Sequence, residues 1–181
     1  MILCSFLIAA QIVLARFAGL QINEGLRISF ETIPLILGSF WLGPLWGMLI
    51  AILSDILGTI ISGYGVYFPL LTIGPLLLTL IIGLFGTRIQ DKGGNGRGFY
   101  IRFVAVVLAA EIINSLYGTW ALTLYYDIII GKEMPFVVLL AARLATKPIT
   151  ILVDTVLSCL LNKSLYTPVV YRYLAAGGLH K

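Results

Sequence analysis

The segment Leu140-Ala-Ala-Arg-Leu-Ala-Thr-Lys-Pro-Ile149 combines strong apolar character with two positive charges. It places Arg143 and Lys147 four residues apart in an apolar run that continues to Leu161. In a helix, this spacing puts both cations on one face. A charge at bilayer depth costs roughly 2.5–3.5 kcal/mol on insertion scales, so it normally faces a partner or a cavity. Two interpretations stay open: side chains that snorkel to the lipid headgroups, or an anion-binding wall of a ligand pocket.

The composition is that of a protein embedded almost entirely in a membrane. Of 181 residues, 60% are hydrophobic and 11% are charged, and the mean hydropathy is +1.03. Soluble domains are about 45–50% apolar and about 25% charged. A membrane-spanning helix needs about 20 residues, so six spans fill the chain. We therefore predict an all-α integral membrane protein, a single six-helix domain over residues 1–181, without an attached ATPase or sensor module. The net charge of +4 fits loop topology better than nucleic-acid binding.

Apolar runs and turn residues predict spans at about residues 2–20, 32–42, 45–61, 69–86, 103–125 and 136–161. Pro34 fits the first turn of the short second span, and Gly43-Pro44 marks the turn to the third. The loop at 87–102 carries four cations, Arg88, Lys92, Arg97 and Arg102, and so marks the cytoplasmic side. Both termini are then inside, and the loops at 21–31, 63–69 and 125–135 are outside.

Polar and aromatic side chains gather on this outer side. Glu111, Asn114 and Tyr117 recur at spacings of three in the fifth span and predict one face, which Trp120 continues. A solvated connector and an interfacial aromatic belt are the plainer explanations of the two outer loops that precede it. The predicted ligand-contacting residues are Arg27, Phe30, Tyr64, Tyr67, Phe68, Asn114, Tyr117, Trp120, Arg143 and Lys147.

Catalytic and metal-binding patterns are absent from the sequence. The only histidine is His180 in the tail, and there is no HExxH, cysteine-rich site or nucleophile elbow. Cys4 and Cys159 lie in apolar segments and are expected to be small buried hydrophobes. We predict neither a metal nor a cofactor. The mid-span carboxylates Asp55, Glu111 and Asp154 leave their roles open: structural hydrogen bonding, pairing with a cation, or the acid/base set of a small intramembrane enzyme.

A succession of short motifs resembles the substrate-binding S components of energy-coupling factor (ECF) vitamin transporters, and most of all the folate-specific ones. The motifs are Leu26-Arg-Ile-Ser-Phe30 with Pro34, Phe40-Trp-Leu-Gly-Pro-Leu-Trp-Gly47, Gly65-Val-Tyr-Phe-Pro-Leu-Leu-Thr72, residues 114–120, and Gly131-Lys132 leading to Arg143 and Lys147. They cover nearly the whole chain in the same order.

The resemblance implies a bacterial plasma-membrane protein that binds one vitamin outside. It would release that vitamin inside when associated with a transmembrane coupling protein and two cytoplasmic ATPases. The Ala-xxx-Ala motif that contacts the coupling protein in this family has its nearest equivalent here in Ser5 and Ala9. Folate fits the residues: its flat pterin suits aromatic and amide contacts, and its two tail carboxylates suit Arg143, Lys147 or Arg27. An S component for thiamine or pantothenate is the nearest alternative.

Overall fold

The computed structural model describes residues 2–17, 20–23, 26–28, 30–62, 67–91, 97–131 and 135–165. At positions 16, 17, 20–23, 26–28, 62, 87, 90, 91, 97, 142, 145 and 146 it describes the backbone alone. The elements are α1 (Ile2–Phe17), β1 (Leu20–Asn23), β2 (Leu26–Ile28), α2 (Thr32–Leu42), α3 (Pro44–Ser62), α4 (Pro69–Asp91), α5 (Arg97–Tyr125), a π turn (Tyr126–Ile130) and α6 (Phe136–Leu165).

The helices confirm the predicted all-α class and follow the six predicted spans. Four of them, within residues 44–61, 69–86, 98–130 and 147–165, are long and apolar enough to cross a membrane, whereas α1 and α2 are shorter apolar helices. Three loop predictions are wrong. Helix α4 continues to Asp91 and α5 begins at Arg97, so residues 87–91 and 97–102 of the predicted loop are helical. The π turn continues α5 through residues 126–130, and β1 and β2 pair antiparallel with Gln21 opposite Arg27. The backbone N–H and C=O groups of the two strands thereby pair with each other, as a low-dielectric environment requires.

The short helix α2 is the centre of the bundle. It packs against α1, α3, α4 and α6, and all of its residues from Ile33 to Trp41 are buried. A helix that is apolar all round is stable only when neighbours cover every face. Gly43 ends α2 with a φ of +91°, and Pro44 begins α3 where its missing N–H leaves no hydrogen bond unmade.

Two polar contacts tie α2 to α6, which runs parallel to it. The Thr32 hydroxyl donates a hydrogen bond to the Asp154 carboxylate, and Trp41 Nε1 donates to Asn162 Oδ1 at 2.8 Å. Asp154 lies about 27 Å along α6 from its first residue, at about 1.5 Å per residue. Helix α2 therefore begins beside Asp154, well below the first turns of α6.

Helix α4 crosses the start of α3 at Gly83, and this contact leads to a stability prediction. A methyl group at position 83 would overlap the backbone of Pro44. We expect Gly83→Ala to destabilise the folded protein by about 1–3 kcal/mol, because the backbone of Pro44 cannot move aside as a flexible side chain would. The thermal unfolding midpoint of the purified protein in detergent measures the effect.

Gly98→Ala is the matched control. A Cβ at position 98 meets nothing within 4 Å, so its midpoint is expected to stay the same or to rise slightly, since alanine favours helix over glycine. Equal midpoints for the two variants would contradict the close approach of α4 to α3.

Candidate ligand-binding site

A cavity of about 270 Å³ occupies the space above the N-terminus of α2. Its charged and polar lining comes from the helices around it rather than from a single element. The lining residues are Gln11, Ile12, Ala15, Glu31, Thr32, Leu35, Ala51, Ser54, Asp55, Gly58, Leu71, Pro75, Asn114, Gly118, Arg143, Lys147 and Thr150. All six helices therefore contribute to one cavity, which lies toward the β-hairpin end of the bundle.

One wall of the cavity is basic. Arg143 and Lys147, one turn apart on α6, both line it. Arg143 Nη1 donates to Thr119 Oγ1 at 3.5 Å. A Cβ at Gly118 would come within 3.1 Å of Nη1, so the missing side chain gives the guanidinium room. Both cations also border an apolar groove of about 360 Å³ between α5 and α6, so they lie at the seam of these helices. This placement fits the cavity-wall interpretation rather than snorkelling to headgroups.

An acidic side chain stands on another wall. Asp55 of α3 lines the cavity, and its Oδ2 accepts a hydrogen bond from the Thr72 hydroxyl of α4. The Tyr67 hydroxyl lies 3.0 Å from Thr72 Oγ1 and extends this chain of contacts. Because α3 packs on α1, α2 and α4 while α6 packs on α2 and α5, Asp55 and the α6 cations belong to different sides of the cavity. The sequence left the role of Asp55 open, and this hydrogen bond to Thr72 is one part of that role.

The floor of the cavity is the N-terminus of α2. Glu31, Thr32 and Leu35 line it, and Glu31 makes no side-chain capping bond to the first turn. The first N–H groups of a helix lack partners within it and carry partial positive charge. The Asp154 carboxylate, which accepts from Thr32, lies at this end and benefits from that charge. The N-terminus of α2 therefore offsets part of the negative charge of Asp154.

Sequence reasoning missed the contributions of Glu31, Thr32 and Asp55 to the site. Asp55 could have been found from the sequence, because the small residues Ser54 and Gly58 lie near it on α3 and small residues leave open space. Both of them also line the cavity. No sequence feature pointed to Glu31 and Thr32, because they line the cavity only where α2 begins deep in the bundle.

Of the ten predicted ligand residues, Asn114, Arg143 and Lys147 line the cavity. Five others lie elsewhere in the described structure. Phe30 packs against the hydrophobic core, Phe68 meets Tyr125 edge to face at 5.6 Å, and Tyr67 contacts Thr72. The Tyr117 and Trp120 rings lie 5.6 Å apart. The Arg27 side chain and the whole of Tyr64 fall outside the described residues.

The predicted stripe on α5 does not form one face. Glu111 is 1% exposed, whereas Trp120 is 48% exposed. At 3.6 residues per turn, each step of three falls about 60° short of a full turn, so nine residues lead to the opposite side of the helix. The prediction that Trp120 continues the face of Glu111, Asn114 and Tyr117 is therefore wrong.

Ser5 and Ala9, the predicted contact with a coupling protein, are both exposed on α1. Their spacing of one turn puts them on one side of the helix. Cys4 is buried, Cys159 is partly buried, and neither forms a disulfide.

Comparisons with known proteins identify the family. Residues 1–162 match the family model of the ECF transporter, substrate-specific component. The folate transporter FolT of Clostridium novyi (strain NT) is 32% identical over 152 residues, 82% of this chain and 79% of the relative. FolT of Leuconostoc mesenteroides subsp. mesenteroides is 32% identical over 127 residues, 69% of this chain and 64% of the relative.

A solved structure supports the fold assignment. The crystal structure of FolT bound with folic acid superposes with a TM-score of 0.69 at 22% identity, covering 90% of this chain and 92% of that chain. Members of the matched family are multi-pass membrane subunits that supply substrate specificity to a transporter, not enzymes. The chain therefore belongs to the substrate-specific (S) components of ECF transporters.

Proposed function

We propose that this chain is the folate-binding S component of an ATP-driven vitamin importer. It captures folate outside the cell and releases it inside when associated with a transmembrane coupling protein and two cytoplasmic ATPases. Two similar proteins are folate transporters, and a solved protein of the same fold holds folic acid. These names do not favour the thiamine and pantothenate alternatives.

The distribution of charge around the cavity is the observation that carries the proposal. Folate has two carboxylates at one end and a pterin ring rich in N–H donors at the other. Arg143 and Lys147 provide cations on α6, and the α2 N-terminus adds partial positive charge at the floor. Asp55 provides an acceptor on α3. We assign the glutamate tail to the basic wall and the pterin edge to Asp55.

Each assignment follows from hydrogen-bond chemistry. A guanidinium donates in a planar fork that matches a carboxylate, and such charge-assisted bonds are stronger than neutral ones. A carboxylate such as Asp55 accepts the paired ring N–H and amino N–H of a pterin in the same bidentate manner. Asn114 supplies an amide beside them. A cavity of about 270 Å³ lies near the lower end of small-molecule sites, about 300–1,000 Å³.

The direction of transport follows from the charge of the loops. Arg88 in the last turn of α4 and the exposed Arg102 of α5 flank the basic loop, at the end of the bundle away from the cavity. Cytoplasmic loops carry an excess of Lys and Arg. The cavity then opens outward and both termini lie inside. The exposed Ser5 and Ala9 are small enough for a coupling-protein helix to approach closely.

A binding titration tests the proposal. We expect the full chain, purified in detergent, to bind folate saturably and to show no saturable binding of thiamine, riboflavin or pantothenate at the same concentrations. Isothermal titration calorimetry measures all four on one preparation. Saturable binding of another vitamin without saturable binding of folate would remove the folate assignment and leave the family assignment intact.

A further inference from the structure

Two buried carboxyl groups form a layer below the cavity. Glu111 of α5 and Asp154 of α6 are each 1% exposed. One oxygen of each, Glu111 Oε1 and Asp154 Oδ1, has no hydrogen-bond partner within the described part of the chain. The other Asp154 oxygen accepts the bond from Thr32. A buried carboxylate with an unpaired oxygen is costly, whereas a neutral carboxyl in the same place costs far less.

This layer adjoins the ligand cavity. Glu111 lies one turn below Asn114, and Asp154 one turn below Thr150, and both of these upper residues line the cavity. Among the described side chains, the charged groups near Glu111 are Lys147 and Asp154 of α6 and Glu31 before α2. Asp154 is within range of the same lysine and of Glu31.

The neighbouring helix α4 adds no charge at this depth. Its ionisable residues Arg88 and Asp91 lie in its last turns, at the far end of the bundle. On α6, Arg143 is one turn further from the pair than Lys147. Of the side chains that the structure describes, Lys147 is therefore the cation nearest to the carboxyl layer. The Arg27 side chain of β2, the strand that packs on α6, lies outside the described residues.

Ligand binding disturbs this balance. Around the cavity and the layer beneath it, the described side chains comprise four carboxyl groups, Glu31, Asp55, Glu111 and Asp154, and two cations, Arg143 and Lys147. Folate adds two more carboxylates and competes for Lys147. An unpaired ion in a low-dielectric interior is costly, so an anionic ligand in the cavity favours removal of negative charge nearby.

We propose that Glu111 and Asp154 form a proton-binding site that takes up about one proton from solvent when the anionic ligand occupies the cavity. The proton bonds to a carboxylate oxygen of the pair and converts that group to a neutral carboxylic acid. This inference rests on the proposed function, because it needs a ligand that carries negative charge. The expected sign is tighter binding at lower pH, by up to about tenfold per pH unit for one proton.

Calorimetry in two buffers tests the site. Folate is titrated into the full chain near pH 7 in phosphate and in Tris, which differ in ionisation enthalpy, so proton uptake appears as a difference in observed heat. Because histidine side chains in general titrate near neutral pH, His180→Gln is introduced in all variants. We expect uptake of about one proton in this background, and little in the double variant Glu111→Gln/Asp154→Asn.

Asp127→Asn is the control, because Asp127 is exposed on the π turn and lies outside the cavity lining. It is expected to keep the full uptake. If the double variant does not purify, the pH dependence of folate affinity in the His180→Gln background replaces it, and an affinity that does not increase as the pH falls overturns the site. Folate binding with the same heat in both buffers would also overturn it while leaving the folate assignment in place. Absence of folate binding would overturn both.

Discussion

Arg143→Ala is expected to weaken folate binding about 100-fold while changing the affinity for pteroate, which lacks the glutamate tail, by no more than about threefold. The guanidinium lies on the cavity wall, where Gly118 leaves it room and Thr119 accepts one of its donors. A hydrogen bond to a charged group contributes about 1.5–3 kcal/mol, and a guanidinium can make two to one carboxylate. Titration of both ligands against the same preparation gives the ratio.

Two further variants sharpen this test. Arg143→Lys keeps the charge but loses the planar fork, so its folate affinity is expected to fall between those of the parent and of Arg143→Ala. Arg102→Ala removes an exposed cation at the opposite end of α5 and is expected to leave both affinities unchanged. Equal losses for folate and pteroate in Arg143→Ala would contradict the tail-carboxylate role.

Asp55→Asn is expected to weaken folate and pteroate alike, by about 30-fold each, corresponding to about 2 kcal/mol. An asparagine keeps the size of the side chain but replaces one acceptor oxygen by a donor amide, which opposes the N–H groups of the pterin. The loss is shared because both ligands contain the pterin, in contrast to the selective loss at Arg143. The same pair of titrations measures it.

Thr72 and Thr59 provide a matched comparison around Asp55. The Thr72 hydroxyl donates to the Asp55 carboxylate, whereas the Thr59 hydroxyl donates to the Asp55 backbone carbonyl at 2.8 Å. Thr72→Val is expected to weaken both ligands about fivefold, because the carboxylate loses the bond that orients it. Thr59→Val is expected to leave binding unchanged. A folate-selective loss in Asp55→Asn would place the pterin elsewhere in the cavity.

Much of the fold follows from local sequence. The composition predicted a membrane bundle, and the apolar runs located the helices, because backbone groups in lipid must be paired within a helix. The bounds were less accurate beside the basic loop, where α4 ends at Asp91 rather than at 86 and α5 begins at Arg97 rather than at 103. Gly43 and Pro44 marked the turn between α2 and α3 correctly. The same reasoning failed at residues 126–130, where the helix continues as a π turn, since polar residues such as Asp127 indicate a loop without excluding a helical turn.

The candidate site was predictable only in part. Arg143 and Lys147 are unusual at their depth and spacing, so they stood out, and they do line the cavity. The aromatic residues that were predicted to contact the ligand and that the structure describes do not line the cavity. The spacing of three from Glu111 to Trp120 winds around α5, so that Trp120 lies about half exposed. A periodic pattern indicates which residues lie on a helix. It places them on one common face only when its period matches 3.6 residues per turn.

The sequence by itself determined that this chain is a six-helix membrane protein with two cations on one face of its last helix. Those properties depend on residues close together along the chain. The tertiary structure decided that α2 begins beside Asp154, that an acidic wall at Asp55 stands apart from the basic wall, and that Glu111 and Asp154 lie beneath the cavity. These depend on the relative depth of helices far apart in sequence, which hydropathy leaves free and side-chain packing sets.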